Sequence, residues 1–284
     1  MSTTSAERSV SMSSAPRQRR RGPQLDTAYG RAIIQLIGTI LLLLAWEAGV
    51  RAGFISAFLV GQPSGILAYL GKSVADGSLI RDTGYTLYEA ILGFVIGTAL
   101  GSALGLALWY SGFVARLVEP FIVAINSVPK IALAPIIILW FGTGLVSKVA
   151  LSISLTAIVA LIAAYQAAKD ADSDLQSLLF SMGSDKHRIF MQVIVPSTLP
   201  AMIATFRINV GFGLVGAVVG EFISSQYGLG HLIFTASSLY DLNTVWAGLF
   251  TLMFVGFLLY YVIDYVERIL LPWKMSTTSQ QLHV

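Results

Sequence analysis

The 284-residue chain contains no cysteine, three histidines, and only 12% charged residues. Without thiols there is no disulfide framework and no thiolate metal site. His187, His231 and His283 are scattered over polar segments with no second imidazole or carboxylate at ligand spacing, so no metal site is expected. Charge is the more telling shortage. A soluble domain carries about 25% charged residues, and a chain with half that share and 55% hydrophobic residues has the composition of a membrane protein.

What is present is a series of apolar runs of the ~20 residues that a helix needs to cross the hydrocarbon core. Six spans can be drawn: Ala32 to Val50, Thr83 to Tyr110, Val118 to Phe141, Ser147 to Ala168, Val193 to Gly220 and Thr244 to Val266. The expected architecture is an all-α membrane domain over residues 31–272, with a basic, disordered cytoplasmic tail at 1–30 and a short tail at 273–284. The first tail carries Arg17, Arg19, Arg20 and Arg21 and no apolar run, so it has too little surface to bury to offset the entropy of ordering. A cleaved secretory signal would place a shorter apolar core and a small-residue cleavage site after those arginines, and here a full-length span follows. A Ser- and Arg-rich organellar transit peptide is the other reading of this composition.

An even number of crossings puts both termini on one side, and the bias of Lys and Arg chooses the cytoplasm. Arg116, Lys169, Lys186, Arg188, Arg268 and Lys274 then join the tail arginines inside; Arg51, Lys72, Arg81 and Lys148 lie outside; Lys130 and Arg207 are left at membrane depth.

Within the second span Gly93, Gly97, Gly101 and Gly105 recur every four residues, one bare helical face on which another backbone can pack closely. The third span carries Pro129 and Pro135, which remove backbone donors and predict a break with Lys130 beside it. A cation at that depth is a candidate for the translocation pathway; the other reading lets Lys130 snorkel to the interface. Arg207 and Asn209 of the fifth span are further pathway candidates, Arg207 alternatively pairing with a carbonyl near the cytoplasmic surface. Glu221 is read either as lining a substrate path or as a solvated helix-end carboxylate, and Glu89 and Glu119 as lying near helix ends.

Two motifs are rejected. Gly65 to Ser73 spaces its glycines one residue too far apart for a phosphate-cradling loop, and Gly211 to Gly216 satisfies a dinucleotide fingerprint inside a membrane helix, with no strand before it. No catalytic constellation and no nucleotide site are expected, and no nucleic-acid partner.

Between the fourth and fifth spans, residues 169–192 form a polar interruption. Leu175, Leu178, Leu179 and Met182 fall at i, i+3, i+4 and i+7, an apolar stripe on a short helix that Asp172 or Ser173 can cap at its start and Gly183 at its end. Lys186 and Arg188 follow, and Pro196 is expected to stop the segment. Such a helix lies on lipid or fits a groove in a soluble partner.

Gly183 followed by Val193, Val195 and Pro196 resembles the G-x9-I-x-L-P signature of the cytoplasmic loop in permease subunits of bacterial ATP-binding-cassette importers. The segments Gly61 to Leu70, Ser127 to Gly144 and Gly228 to Phe250 are similar to the nitrate, taurine and alkanesulfonate branch of the same family. The resemblance implies a type I importer permease of a bacterial inner membrane. Its loop is a coupling helix seated in one subunit of an ATPase dimer that binds the ATP, so this chain needs no cofactor. It also implies a second permease copy, forming a homodimer, and an extracytoplasmic solute-binding protein. The substrate it implies is a small organic or inorganic anion such as a sulfonate, taurine or nitrate. One departure is visible: where the family often has Glu-Ala-Ala before the glycine, this chain has Ser177, Leu178 and Leu179. A secondary transporter would instead show membrane-embedded carboxylates or inverted repeats, and a membrane scaffold would leave the broken third span without a purpose.

Overall fold

A computed structural model describes residues 28–271, with side chains from residue 33 onward. The tails expected at 1–30 and 273–284 therefore lie outside the described residues, except that helix α1, Ala28–Arg51, already begins at Ala28. Two short helices follow, α2 (Ala57–Val60) and α3 (Pro63–Ala75), and then the first long buried helix, α4 (Ser78–Ala107), which ends in a 3-10 turn, Leu108–Tyr110. Helices α5 (Gly112–Ser127) and α6 (Ala134–Phe141) flank a second 3-10 turn at Lys130–Leu133. Next come α7 (Leu145–Lys169), α8 (Ser173–Ser181) and α9 (Lys186–Ile189), a π-helical turn at Phe190–Ile194, then α10 (Val195–Ser224), α11 (Leu229–Ser238) and α12 (Leu242–Leu270). Every described element is helical.

Five of these helical stretches are long and apolar enough to cross a membrane, and the pair α5 and α6 makes a sixth if it is counted as one span. That pair is bent by 85° at the break beside Pro129, as the two prolines lead one to expect. The ends of the long helices have local causes. Gly77 adopts φ +77° ahead of α4. The Ser78 hydroxyl and amide both donate to Asp76, which holds the Asp76 carboxyl below the usual carboxylate range. Ser111 accepts from Val114 N at the start of α5. Asp241 caps α12, its carboxylate accepting from the Thr244 amide and hydroxyl.

The centre of the molecule is the packing of α4, α7 and α10. Cβ atoms placed on Gly93, Gly97, Gly101 and Gly105 would run into Ser152, Thr156, Ala157 and Leu161 of α7, so the glycine face of α4 meets α7 of the same chain, the two helices running parallel. From the opposite direction α10 brings Gly216 against Ser152 and Gly220 against Lys148. Gly213 and Gly216 thus serve close helix packing, whereas Gly211 faces open space. Small residues let the backbones approach until hydroxyls on one helix reach carbonyls on the next, and Ser152 donates to Gly213 O at 2.8 Å. Around this centre, Leu79, Phe94, Val210, Leu229, Val255, Leu259 and Ile263 join α4, α10, α11 and α12 in one apolar cluster. Helix α1 stays peripheral, most of its side chains exposed, as suits a lipid-facing span.

Candidate functional site

The segment between α7 and α10 is a short helix held out from the bundle. Asp172 caps α8, its carboxylate accepting from Asp174 N at 2.8 Å and Leu175 N at 3.2 Å. At the other end Gly183 takes φ +81°, Ser184 N donates to Leu179 O and Gly183 N to Phe180 O, each at 3.0 Å. This is a Schellman closure, and only a residue without a Cβ adopts its backbone cheaply. Asp185 then caps α9 by accepting from Arg188 N.

Both caps agree with the sequence reading; the stripe needs correction. Leu175, Leu178 and Met182 are exposed, but Leu179 turns inward onto a cluster of Ala168, Ala171, Phe190, Val193 and Ile194. Phe180, 74% exposed, is a further apolar side chain left uncovered on another side of α8. Sequence periodicity missed Phe180 because a nine-residue helix offers apolar residues on more than one face and does not say which face the body of the protein covers.

Pro196 does not stop the segment. Lys186 to Ser224 is one helical stretch in which the π turn precedes Pro196, and Pro196 occupies the first turn of α10. The wider turn re-registers the backbone just where the missing amide would otherwise interrupt the hydrogen-bond ladder. Lys186 Nζ donates to Tyr110 O at 2.5 Å, while Arg188 is exposed.

The membrane-depth residues fall into separate places. Lys130 is partly buried, its Nζ donating to the backbone and side-chain oxygens of Asn126 at 3.1 and 3.2 Å. It lines a mainly apolar cleft of about 460 Å³ between α4, α5 and α7 whose walls include Gly101, Leu104, Val128 and Ala157. Arg207 pairs with Asp264 and with Glu267, the latter at 2.7 Å, and donates to the Tyr260 hydroxyl at 3.3 Å. Its partner is therefore a pair of carboxylates on α12, not the backbone carbonyl expected from sequence. Asn209 is fully buried and donates to Thr98 Oγ1 on α4 and Thr156 O on α7, bridging three helices.

Glu221 is fully buried, which rules out a solvated helix end in this conformation. Its carboxylate accepts from Thr86 Oγ1 and from Gly230 N, both at 2.7 Å, and so fastens the turn into α11 to the core. Gly228 and Gly230 are required here, because a Cβ on either would meet this carboxylate or its chain. Glu89 is likewise not near a helix end. It lies within α4, buried, 3.4 Å from Lys148 Nζ, and Lys148, drawn from sequence as an external residue, is buried with it and also donates to Ser225 Oγ. Glu119 is exposed on α5 and lines a cleft with Arg116, Lys169, Trp109 and Tyr165. Buried carboxylates are thus present, but each is committed to a cation, a hydroxyl or a backbone amide that ties helices together.

At the opposite end from α8, Glu47 of α1 accepts from Gln62 Nε2, Ser64 N and Arg51 Nε. Asn243 accepts from Gln62 N, and Trp246 Nε1 donates to Val60 O. These bonds seat the start of α3, the stretch whose glycines mimic a phosphate loop, against α1 and α12.

The comparisons with known proteins agree with this geometry. Residues 93–271 match the family described as binding-protein-dependent transport system inner membrane component. The chain is 35% identical to the riboflavin transport system permease protein RibX of Chloroflexus aurantiacus over 84% of its own length and 88% of that protein's. It is 33% identical to the formylaminopyrimidine transport permease protein ThiX of Halalkalibacterium halodurans, covering 83% and 93%. A putative aliphatic sulfonates transport permease, SsuC of Bacillus subtilis, matches at 29% over 83% and 86%. Among solved structures, an inward-facing conformation of the MetNI methionine ABC transporter superposes with a TM-score of 0.61 at 18% identity, over 69% of this chain and 97% of that one. The chain belongs to the binding-protein-dependent transport system inner membrane components and is the permease subunit of an ABC importer.

Proposed function

We propose that this permease carries a small, flat nitrogen heterocycle across the inner membrane, driven by an ATPase dimer that docks on α8 and supplied by an external solute-binding protein, with a second copy of the chain completing the pathway. The observation that carries the docking is α8 itself: capped at both ends, projecting, and leaving Leu175, Leu178, Phe180 and Met182 exposed. A groove in a soluble partner requires that form. The missing Glu-Ala-Ala carboxylate removes a charged contact, and Phe180 supplies apolar area in its stead.

The heterocycle reading rests on two supports. Two relatives above 30% identity are named for riboflavin and a formylaminopyrimidine. One of the two cations left at membrane depth, Arg207, is already neutralised by Asp264 and Glu267. A sulfonate or similar anion is the second reading, favoured by Lys130 at the rim of an apolar cleft beside the broken span and by the sulfonate permease relatives. The Lys and Arg bias supports cytoplasmic termini and a cytoplasmic α8.

Proteoliposomes holding the complete importer test the scheme. ATP-dependent uptake of riboflavin or a pyrimidine, with no competition from alkanesulfonates, supports the heterocycle; uptake of a sulfonate that fails when Lys130→Ala is introduced supports the anion. Leu178→Asp and Gly183→Pro are expected to release the ATPase subunit and abolish uptake. Uptake without the ATPase would overturn the importer mechanism altogether.

A further inference from the structure

The segment that carries α8 is built from two parts that differ in attachment. α8 packs chiefly on its own continuation, α9, and sends only Leu179 into the body of the protein. The continuation is seated: Ile189 and Phe190 are buried, and the π turn follows at once. The seat is formed by Trp109 and Tyr110, the 3-10 turn at the end of α4. The Phe190 ring centroid lies 5.6 Å from that of Trp109 and 4.6 Å from that of Tyr110. Lys186 Nζ sits 5.5 Å over the Trp109 ring while donating to Tyr110 O, and the Tyr110 hydroxyl is 3.2 Å from His187 Nδ1. Three rings, one ammonium group and one imidazole thus join α9 to a helix that is 76 or more residues away in sequence.

This contact gives α8 a second route into the bundle. The covalent route runs through α7 on one side and through the π turn into α10 on the other. The aromatic route runs into α4, whose glycine face is in close contact with α7 from Gly93 to Gly105. The Schellman bonds close α8 at Ser184 and the Asp185 cap opens α9 at the next residue, so no free linker separates them and a displacement of α8 reaches Lys186 and Phe190 within a few residues. Close-packed aromatic contacts transmit displacement, since opening a gap of about 0.5–1 Å between them forfeits roughly a quarter to a half of their dispersion energy.

We propose that Trp109 and Tyr110 are positioning residues of the coupling step, a latch through which movement of α8 is passed to α4 and so to the α4, α7 and α10 core. The inference rests on the reading of α8 as the ATPase-docking helix. In the full importer, the Trp109→Ala and Tyr110→Ala double variant keeps the ATPase subunit bound and hydrolysing ATP, while solute moved per ATP falls by about tenfold, within the span of ordinary coupling energies. Trp109→Phe with Tyr110→Phe, which keeps the rings, restores most of that ratio.

The absence of cysteine permits a second measurement that does not depend on how well the alanine variant folds. Tyr110→Cys combined with His187→Cys weakens coupling in the reduced state, and a short bifunctional thiol reagent that bridges the two positions restores it. An unchanged transport-to-hydrolysis ratio in the alanine variant, or a bridge that arrests uptake, overturns the latch. Loss of the ATPase subunit from the alanine variant also overturns it, because the rings would then be part of the docking surface. A Leu178→Asp variant run in parallel separates the two ideas: if that variant retains the ATPase, the docking assignment of α8 fails, whatever the latch variants do.

Discussion

Arg207 shows what a charged residue at membrane depth is for in this protein. Its guanidinium reaches Asp264 and Glu267 one helical turn apart on α12, and Arg268 in turn pairs with Asp264. The group is a third exposed, so solvent screens part of its attraction. Replacing Arg207 with Ala removes a cation shared by two carboxylates, and after discounting for solvent we expect a loss at the low end of the about 1.5–3 kcal/mol of a charged hydrogen bond. Thermal unfolding in detergent measures it, and adding Asp264→Asn is expected to recover part of the loss. Glu221 poses the same question with a different answer, since its partners are a hydroxyl and a backbone amide. Gly230→Ala would drive a Cβ into Val218 O and the Glu221 stem, so this one methyl group is expected to cost about 1–3 kcal/mol, as overpacking does. The contrasting control is Gly71→Ala on α3, where a Cβ meets nothing and the helix gains propensity.

The elements are stabilised by different means at their two surfaces. α4 and α7 are held by backbone proximity, and the Thr156 hydroxyl spans the contact to Gly93 O at 3.2 Å. We expect Gly101→Leu to separate these helices, because the first atom of the new side chain already overlaps the Ala157 carbonyl. The measurement is the yield of monodisperse protein from membranes, with Gly84→Leu, which faces open space on the same helix, as the control expected to behave like the parent. α8 has the reverse design. It contributes little to the core, so Phe180→Ser is expected to leave the unfolding temperature within a degree or two of the parent, as for surface changes of less than about 0.5 kcal/mol, while weakening retention of the ATPase subunit.

For the whole molecule, the parallel course of α4 and α7 and the opposed course of α10 put α8 at one end and α11 at the other. Single cysteines are easily read in a chain that has none. Ser181→Cys in α8 is expected to react with a membrane-impermeant maleimide only from the cytoplasmic side, and Ser237→Cys in α11 only from outside. The opposite pattern would invert the orientation drawn from the basic residues.

Much of this was legible in the residues because it is local. Composition and run length state that the chain lives in a bilayer and about how often it crosses; Pro129 and Pro135 state where a crossing breaks; Asp172 and Gly183 bracket α8 because caps are decided within one turn of backbone. The four-residue repeat of Gly93 to Gly105 announced a contact surface without naming what would touch it. Tertiary structure alone decided that α7 is the partner, that Glu89 meets Lys148, that Arg207 meets Asp264 and Glu267, and that Leu179 turns inward while Phe180 does not. Only the assembled backbone also carries the helix through Pro196 by way of a π turn. Periodicity and capping act over a few residues, whereas the helix pairings join positions about 55 to 60 residues apart, and the turns of Leu179 and Pro196 answer to how the flanking helices pack; nothing in a single chain of letters records which helix a given face will meet.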